Sequence, residues 1–566
     1  MMDFSKDPRE AEKQIQAIIY YLVTFGYIDG DFDPEEQAFV REYISKIVEH
    51  KLGQSDAYKE MPEAAFKQLK AEQEEHYNLV FEQNDQAVRE LFTEVVDSSE
   101  TVQKFIRHRL KLRCYEIFRS FKEDNRTALM EVIDEFIMAD GVEHPAEVEF
   151  RNELADLLHL EIMLDMDDLE VVPSTLEITS EIARKIAQSN HPFLRNLEVH
   201  YSGDDAERSV QATDEMKLIE ATMARMDELR ETGNGKLTGV KSFADLMGEE
   251  EFFLDGQVFV IPPTPGQEYD ITVLGDLHGC YSCLKGALMQ ADFFNKVEAY
   301  RQDPSGNVKP IVILLGDYID RGKFSYAGIL RAVMQLFLNY PGHVFPLRGN
   351  HEYYIEYEGT IYGGVLPAEA INVHRDYLPR EFFLTYMKFF EQLPTVAVFD
   401  QLFFVHAGIP KDDIIENWPD LAKLNDPEVR FQMLWSDPSE ADVIPKSLQE
   451  ESARFPFGTM QFANFMATVG CNVMVRGHTK VVEGFKTVVD DGSHKLLNLF
   501  SAGGQYNDDL PSNSSYRGVT PKALTIAYKD GELTATPWLI DYESYNSPVY
   551  NRFFSVSPAI DYEEKS

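Results

Sequence analysis

The sequence predicts an α/β C-terminal half preceded by an all-α N-terminal half, on three observations. The first is helical periodicity: "AEKQIQAIIYYLVTF" and "EEQAFVREYISKIVEHK" place apolar residues at three- and four-residue intervals, without β-type alternation, and this texture runs to about residue 235. The second is a change near "TGNGKLTG" (Thr232 to Gly239), after which short β-branched runs alternate with helical stretches such as "YAGILRAVMQLFLNY". In order the runs are "VFVIPP", "DITVLGD", "PIVILLGD", "HVFPLRGN", "TVAVFDQLFFVHAG" and "CNVMVRGHT". Each is long enough for a strand buried on both faces and covered by helices. The third is that four of these six runs end in glycine followed by Asp, Asn or His. In open α/β sheets ligands gather at the carboxyl ends of strands, so those ends are where chemistry is expected.

Composition bounds the function. At 566 residues two or three domains are expected, and 44% hydrophobic with 12% aromatic residues is enough for sizeable cores. The 96 acidic against 53 basic residues give a formal net charge of −43, the opposite of a nucleic-acid or anionic-membrane footprint. Cys114, Cys280, Cys283 and Cys471 are too few for a disulfide framework. Cys280 and Cys283 form a CxxC at an expected helix start; without a second CxxC, a structural pair is favoured over redox or zinc chemistry. "MMDFSKDPREAEKQ" has no apolar signal core, and no run approaches ~18 apolar residues. The expectation is a soluble, cytoplasmic protein with no nucleic-acid or membrane partner.

The strand ends collect metal-type donors. "VLGDLHGCY" gives Asp276 and His278, "LLGDYIDRG" gives Asp317, Asp320 and Arg321, and "LRGNHEYY" gives Asn350 and His351. "FFVHAGIP" adds His406 and "VRGHTK" adds His478. Oxygen and imidazole donors without thiolate suit Mn²⁺, Zn²⁺ or iron. Two such ions ~3.5–4 Å apart, sharing a carboxylate, clamp an in-line displacement at phosphorus. A lone GD or HAG is an ordinary turn; five pieces in this order, each ending an expected strand, make a metal site.

The order GDLHG, GDYIDRG, GNHE, HAG, RGHT resembles calcineurin-like metallophosphoesterases, and more narrowly the PPP superfamily of serine/threonine phosphatases. The full DRG, the GNHE preceded by Leu347 and Arg348, and "LWSDP" (Leu434 to Pro438) carry the narrower likeness, over roughly Tyr269 to Tyr506. Lys480 stands where other metallophosphoesterases have the second histidine of GHxH. The resemblance implies a calcineurin-like β-sandwich flanked by helices, with two divalent metal ions as cofactors. One ion would be held by Asp276, His278 and Asp317, with Asp317 bridging to a second held by Asn350, His406 and His478. Water activated between them would attack phosphorus, His351 would protonate the leaving oxygen, and Asp320 would hold that imidazole. Arg321 would grip the phosphoryl oxygens, with Arg454 of "SARFPFG" as a second clamp at a shorter spacing than usual. Glu352, Arg348 and Arg476 read as structural.

Two rim stretches depart from the pattern. "YYIEYEGTIYGG" is longer by two residues before its IYG, and "SAGGQYNDD" has Gly503 in place of proline, with Tyr506 only loosely aligned. The first motif and the HAG also resemble symmetrical dinucleoside-tetraphosphate hydrolases, which usually show GNHD and lack LWSDP; they are the second reading. A third is an adaptor with a decayed site, disfavoured because every ligand is present.

In the N-terminal half "YIDGDFDPEEQAFVREYISKI" and "MADGVEHPAEVEFRNELADLL" align at an offset of 111 residues. Asp29, Gly30, Pro34, Glu36, Phe39 and Glu42 meet Asp140, Gly141, Pro145, Glu147, Phe150 and Glu153. An EF-hand fails, since Pro34 and Val40 stand where Gly and Glu are needed. The repeat resembles TerB-like helical domains, and its acidic turns read as helix–helix turns before a cation site. The expected division is a TerB-like module at 1–165, a helical connector at 166–245, the PPP-type domain at 246–545 and a tail at 546–566. Phosphoproteins are the expected substrates, with a regulatory partner acting through residues 1–245.

Overall fold

Apolar residues at Ile15, Ile18, Ile19, Leu22 and Phe25 recur on one helical face, and all are buried. They belong to α1 (Pro8–Gly26), the first of six helices that form the described N-terminal core with α2 (Pro34–Gln54), α3 (Glu63–Leu91), α4 (Val102–Ser120), α5 (Glu123–Ile137) and α6 (Pro145–Leu157). A computed structural model of the chain describes residues 4, 7–28, 32–54, 63–91, 102–121, 123–139, 144–157, 174–184, 189–450 and 452–559. It divides into a helical unit, Met1–Leu164 with Ser439–Gly458, and a second unit, Asp165–Pro438 with Thr459–Ser566. Leu112 and Tyr115 of α4 bury Ile444 and Leu448 of the later segment, and the Tyr115 hydroxyl donates to the Val443 carbonyl at 3.3 Å. Among the described residues no helix is long and apolar enough to cross a membrane.

The repeat is visible in how α2 and α6 begin. Each opens on the aligned proline, Pro34 or Pro145, whose fixed φ and missing N–H suit a first helical turn. Asp33 and Glu36 form a capping box: the Glu36 amide donates to Asp33 Oδ1 at 2.8 Å and the Asp33 amide to Glu36 Oε2 at 2.9 Å. Phe25 and Phe136 link the copies, Phe136 packing on Phe39 (centroids 5.5 Å apart) and Phe25 on Phe150 (5.8 Å). Asp29, Gly30, Asp140 and Gly141, and with them the acidic turns, lie outside the described residues. The aligned acids Glu36 and Glu147 are buried and interact with each other. Burial pushes the Glu36 carboxyl up to about 9 and the Glu147 charge adds to it, against the Asp33 backbone bond.

Between its ordinary value of 4.5 and about 9, folded Glu36 keeps a proton that the unfolded chain releases, so stability falls as pH rises through that window. Glu36→Gln removes this loss. Calorimetry of the full chain from pH 5 to 9 should give a flatter melting profile for the variant and a higher midpoint at pH 8. Parallel profiles would refute the raised Glu36 carboxyl.

The second unit is two sheets face to face. One has the order β1 (Glu177–Ile178), β15 (Glu532–Leu539), β14 (Lys522–Lys529), β4 (Tyr269–Leu274), β5 (Lys309–Leu314), β6 (Val344–Pro346). The other runs β12 (Phe485–Asp490), β13 (Lys495–Leu499), β11 (Val473–Arg476), β10 (Leu402–Val405), β9 (Val396–Phe399), β3 (Val258–Ile261), β2 (Phe253–Asp255). A separate hairpin is made by β7 (Tyr354–Tyr357) and β8 (Thr360–Gly363). All six expected runs form strands. The sheets share one core, with Tyr269 against Phe399 and Phe345 against Phe259 at centroid distances of 4.9 and 5.2 Å. β4, β5 and β6 are parallel neighbours, as are β10 and β11, so their carboxyl ends emerge side by side.

The stretch expected as a connector packs into this second core. β1 pairs with β15, and Leu194, Tyr201, Ile219 and Met226 are buried in the same cluster as the strands. Helix α7 (Asp205–Gly233) brings Glu215, 4% exposed, to the Arg331 guanidinium at 2.7 Å and to the Tyr201 and Tyr386 hydroxyls at 2.9 and 2.6 Å. Glu198 is the buried partner of Lys285. Part of the expected tail is also structural: Phe553 packs against Phe324 and edge-on to Tyr281, at 4.6 and 5.1 Å between centroids. Removing one partner of a buried ion pair costs about 3–5 kcal/mol. A chain beginning at residue 241 should therefore be insoluble or unfolded by circular dichroism, whereas one beginning at residue 172 should melt cooperatively. Equal behaviour of the two would refute this placement.

Candidate metal centre

The site is assembled from strand-end loops whose backbones turn sharply. His278, Asp317, Asp320, Arg321 and His478 all have φ between 40° and 68°, a region L-residues avoid unless their surroundings fix it. Glycines beside them leave room for the ligands. A Cβ on Gly349 would lie 2.2 Å from Asp317 Oδ1, and one on Gly477 the same distance from Asp276 Oδ1.

Asp317, at the end of β5, is the hub. Its Oδ2 lies 3.5 Å from His278 Nε2 and its Oδ1 3.4 Å from His406 Nε2. His278 Nδ1 faces the Ile319 carbonyl at 2.8 Å and His406 Nδ1 the Leu315 carbonyl at 2.9 Å. Each Nδ1 therefore carries the hydrogen, and each Nε2 presents its lone pair inward. Asn350 Oδ1 lies 2.9 Å from His406 Nε2 and 3.1 Å from His478 Nδ1, and those two nitrogens are 3.2 Å apart. Asp276 Oδ2 is 3.7 Å from His278 Nε2, and Asp276 Oδ1 accepts from the His478 amide at 2.8 Å. His278, Asp317 and His351 form one ligand-competent group, and Asp317, His406 and His478 a second that shares Asp317.

Lone pairs facing lone pairs fit cations between them, and so do the acid–base properties. Burial, with Asp276 and Glu352 adding like charge, pushes Asp317 well above the usual carboxylate range. Burial holds His278 and His406 well below the usual imidazole range, so both are neutral. Two divalent cations would reverse the penalty on the carboxylates and use neutral imidazoles as they stand.

A hydrogen-bonded layer fixes these ligands. Glu352 accepts from the Asp317, Tyr318 and Gly349 amides at 2.8, 2.8 and 2.9 Å, binding the loops after β5 and β6 together. Arg348 spans Glu352 and Glu391, and Arg476 donates to Asp437, Thr479 and Asn498, so both are structural as expected. Beside the centre His351 Nδ1 meets Asp320 Oδ2 at 2.7 Å, and Asp320 Oδ1 takes the Ala370 amide at 2.9 Å. Arg321 is anchored through Nη1 to the Pro367 carbonyl and Glu369, while its buried Nη2 makes no well-formed hydrogen bond among the described residues and the Tyr516 hydroxyl interacts with the guanidinium.

Residues 269–482 match the calcineurin-like phosphoesterase family. The chain is 28% identical over 287 residues to a probable serine/threonine-protein phosphatase of Encephalitozoon cuniculi, covering 50% of this chain and 57% of that one. It is 28% identical over 296 residues to the serine/threonine-protein phosphatase 4 catalytic subunit of Kluyveromyces lactis, covering 50% of this chain and 83% of that one. The corresponding subunit of Eremothecium gossypii is 30% identical over 237 residues, covering 41% of this chain and 68% of that one. The chain belongs to the calcineurin-like phosphoesterase family. It spans little more than half the length of the Encephalitozoon relative.

In this phosphoesterase the centre gathers nine of the ten expected site residues. The tenth, Arg454, lies in 439–458, the segment grouped with the helical unit. Three others escaped the sequence reading. Asp437, from the quoted LWSDP, accepts from Thr479 Oγ1 at 2.7 Å and lies 3.9 Å from His478 Nε2. Glu369 anchors Arg321. Tyr516 stands 5.3 Å from the His278 ring, its hydroxyl pushed up to about 12 by burial, with Arg321 opposing and Asp276 and Asp317 adding. The loosely aligned Tyr506 is 66% exposed, and no motif marked Tyr516. The four cysteines are buried free thiols.

Asp317→Asn replaces the shared ligand by one with a single good donor oxygen. It should lose most of the metal bound by the wild-type chain, by plasma mass spectrometry, and lower phosphoester turnover by more than ~100-fold. Wild-type metal content in the variant would sink Asp317 as the shared ligand.

Proposed function

We propose that the chain is a metal-dependent phosphomonoester hydrolase acting on phosphoserine or phosphothreonine in proteins. The observation that carries this reading is the convergence of lone-pair donors on Asp317, flanked by the His351–Asp320 pair and by the spare Nη2 of Arg321. In this reading Asp276, His278 and Asp317 hold one divalent ion, and Asp317, Asn350, His406 and His478 a second, of manganese, iron or zinc. Such ions, when bound, polarise the phosphoryl group and lower the pKa of a water molecule aligned for in-line attack.

The chain's own residues do the rest. Arg321 Nη2 accepts the load of a phosphoryl oxygen by donating to it, while Glu369 and the Pro367 carbonyl hold the guanidinium in place. Asp320 fixes the His351 ring through Nδ1, so Nε2 delivers the proton to the departing serine or threonine oxygen. Direct attack by water on phosphorus would leave no covalent phosphoenzyme. Similarity to serine/threonine-protein phosphatases supports the substrate class. The helical unit, with its internal repeat, is read as a TerB-like module through which a regulatory partner acts.

The test is hydrolysis by the Mn²⁺-loaded full chain of phosphoserine, phosphothreonine and phosphotyrosine peptides beside diadenosine tetraphosphate. Preference for the first two supports the reading; preference for the dinucleotide overturns the substrate class in favour of a nucleotide polyphosphate hydrolase. His351→Ala should slow phosphopeptide hydrolysis by about 10²–10⁴-fold and p-nitrophenyl phosphate far less, since that leaving group hardly needs an acid. Equal losses on both would remove His351 from the acid role.

A further inference from the structure

Next to Asn350 the catalytic unit has a cavity of about 110 Å³ whose walls include Arg348, Glu391, Arg430, Phe431 and Trp435. It lies between helix α9 (Pro427–Trp435), which carries Arg430, and the carboxyl end of helix α8 (Arg380–Gln392), which carries Glu391. Its charges do not cancel. Glu391 is taken by Arg348, with both guanidinium nitrogens on both carboxylate oxygens at 2.7 and 3.1 Å. Arg430 donates only to neutral acceptors, Thr395 Oγ1 at 3.3 Å and the Glu391 backbone carbonyl at 3.2 Å.

Among the described residues Arg430 makes no ion pair, and these two bonds use two of its five N–H donors. Burial pulls its guanidinium down to about 10; Arg348 and Arg230 add to the fall and Glu391 opposes it. A partly buried cation beside a second cation is costly unless an anion joins them. The aromatic walls lower the local dielectric and so strengthen any such partner. Asn350 lines this cavity and the metal centre alike, which puts an occupant within side-chain reach of the reacting phosphoryl group.

We propose that this cavity is a second anion subsite, in which Arg430 receives a carboxylate or phosphoryl group carried by the same substrate close to the residue being dephosphorylated. The inference deepens the phosphoprotein reading and rests on it for the identity of the first anion. It makes the preferred substrates acidic or multiply phosphorylated segments, selected locally by guanidinium in a protein whose overall charge is −43.

The test is fluorescence-anisotropy binding of phosphoserine peptides to the full-length, Mn²⁺-loaded chain bearing His351→Ala to slow turnover. One position at a time, on either side of the phosphoserine, carries Gln, Glu or a second phosphoserine. At one position the anionic peptides should bind about tenfold tighter than the Gln peptide, as expected for a charge-assisted hydrogen bond. Whether Glu or phosphoserine gains more distinguishes the two sources of the anion. Adding Arg430→Gln should erase the gain, and Arg430→Lys should keep part of it even where the Gln variant folds poorly. Anionic and neutral peptides binding alike at every position, or a gain that survives Arg430→Gln, would overturn the subsite. A gain that depends on Arg430 in a chain whose wild type hydrolyses no phosphomonoester would uphold the subsite and overturn the phosphatase reading.

Discussion

Burying Asp276 and Asp317 side by side is the constraint on which the centre depends. Both carboxylates are essentially inaccessible, and Glu352, which accepts from the Asp317 amide, is buried beside them. Like charges in a dry interior cannot all stay ionised without compensation. Glu352 solves its share with three backbone N–H groups, which hold it near 7 against burial. Asp317 has one such bond, from the His351 amide at 3.0 Å, and faces the nitrogen lone pairs of two imidazoles. Among the described residues the Arg321 guanidinium opposes the burial of Asp317 but leaves its carboxyl well above the usual range. The arrangement is economical only when cations occupy it, which is why the donor set and the burial argue in the same direction.

That constraint explains the backbone around it. Ligands from β4, β5 and β6 in one sheet must meet ligands from β10 and β11 in the other, and each loop has only two or three residues in which to turn. The left-handed conformations at His278, Asp317, Asp320, Arg321 and His478 accomplish those turns with the functional side chains themselves. Glycine could adopt the same angles without strain but would bring no donor. The cost is carried by the packed strands behind the loops and by the Glu352 and Asp437 bonds that fix the loops from the rear.

What the sequence revealed follows the length scale of each feature. Strands β3 to β6 and β9 to β11 were legible because a doubly buried strand is a short continuous apolar run, and the ligands because each directly ends such a run. Helix α7 was read as a mere connector because its charged residues look like a solvated face; Glu215 instead lies inside a network of Tyr201, Tyr386 and Arg331, partners up to 171 residues away. Tyr516 was missed for the same reason, since it reaches the centre from a loop without apolar punctuation. The Glu36–Glu147 contact was half legible: the alignment paired the two positions, but periodicity says nothing about which faces of α2 and α6 meet.

An acidic protein that binds phosphate must overcome its own field. At −43, the chain repels an anionic substrate at long range, although salt near physiological strength screens this beyond about 8 Å. Recognition then has to be short-range and directional, and the charges at the centre and in its neighbouring cavity are of that kind. Arg321 is held by Glu369 with one nitrogen left over, and Arg430 by neutral acceptors with donors left over. Forked guanidiniums fixed on one side discriminate by geometry as well as by charge, which a diffuse basic surface cannot do. On the proposed subsite, a substrate carrying a second anion gains more on contact than one carrying a single phosphate, against the same long-range repulsion.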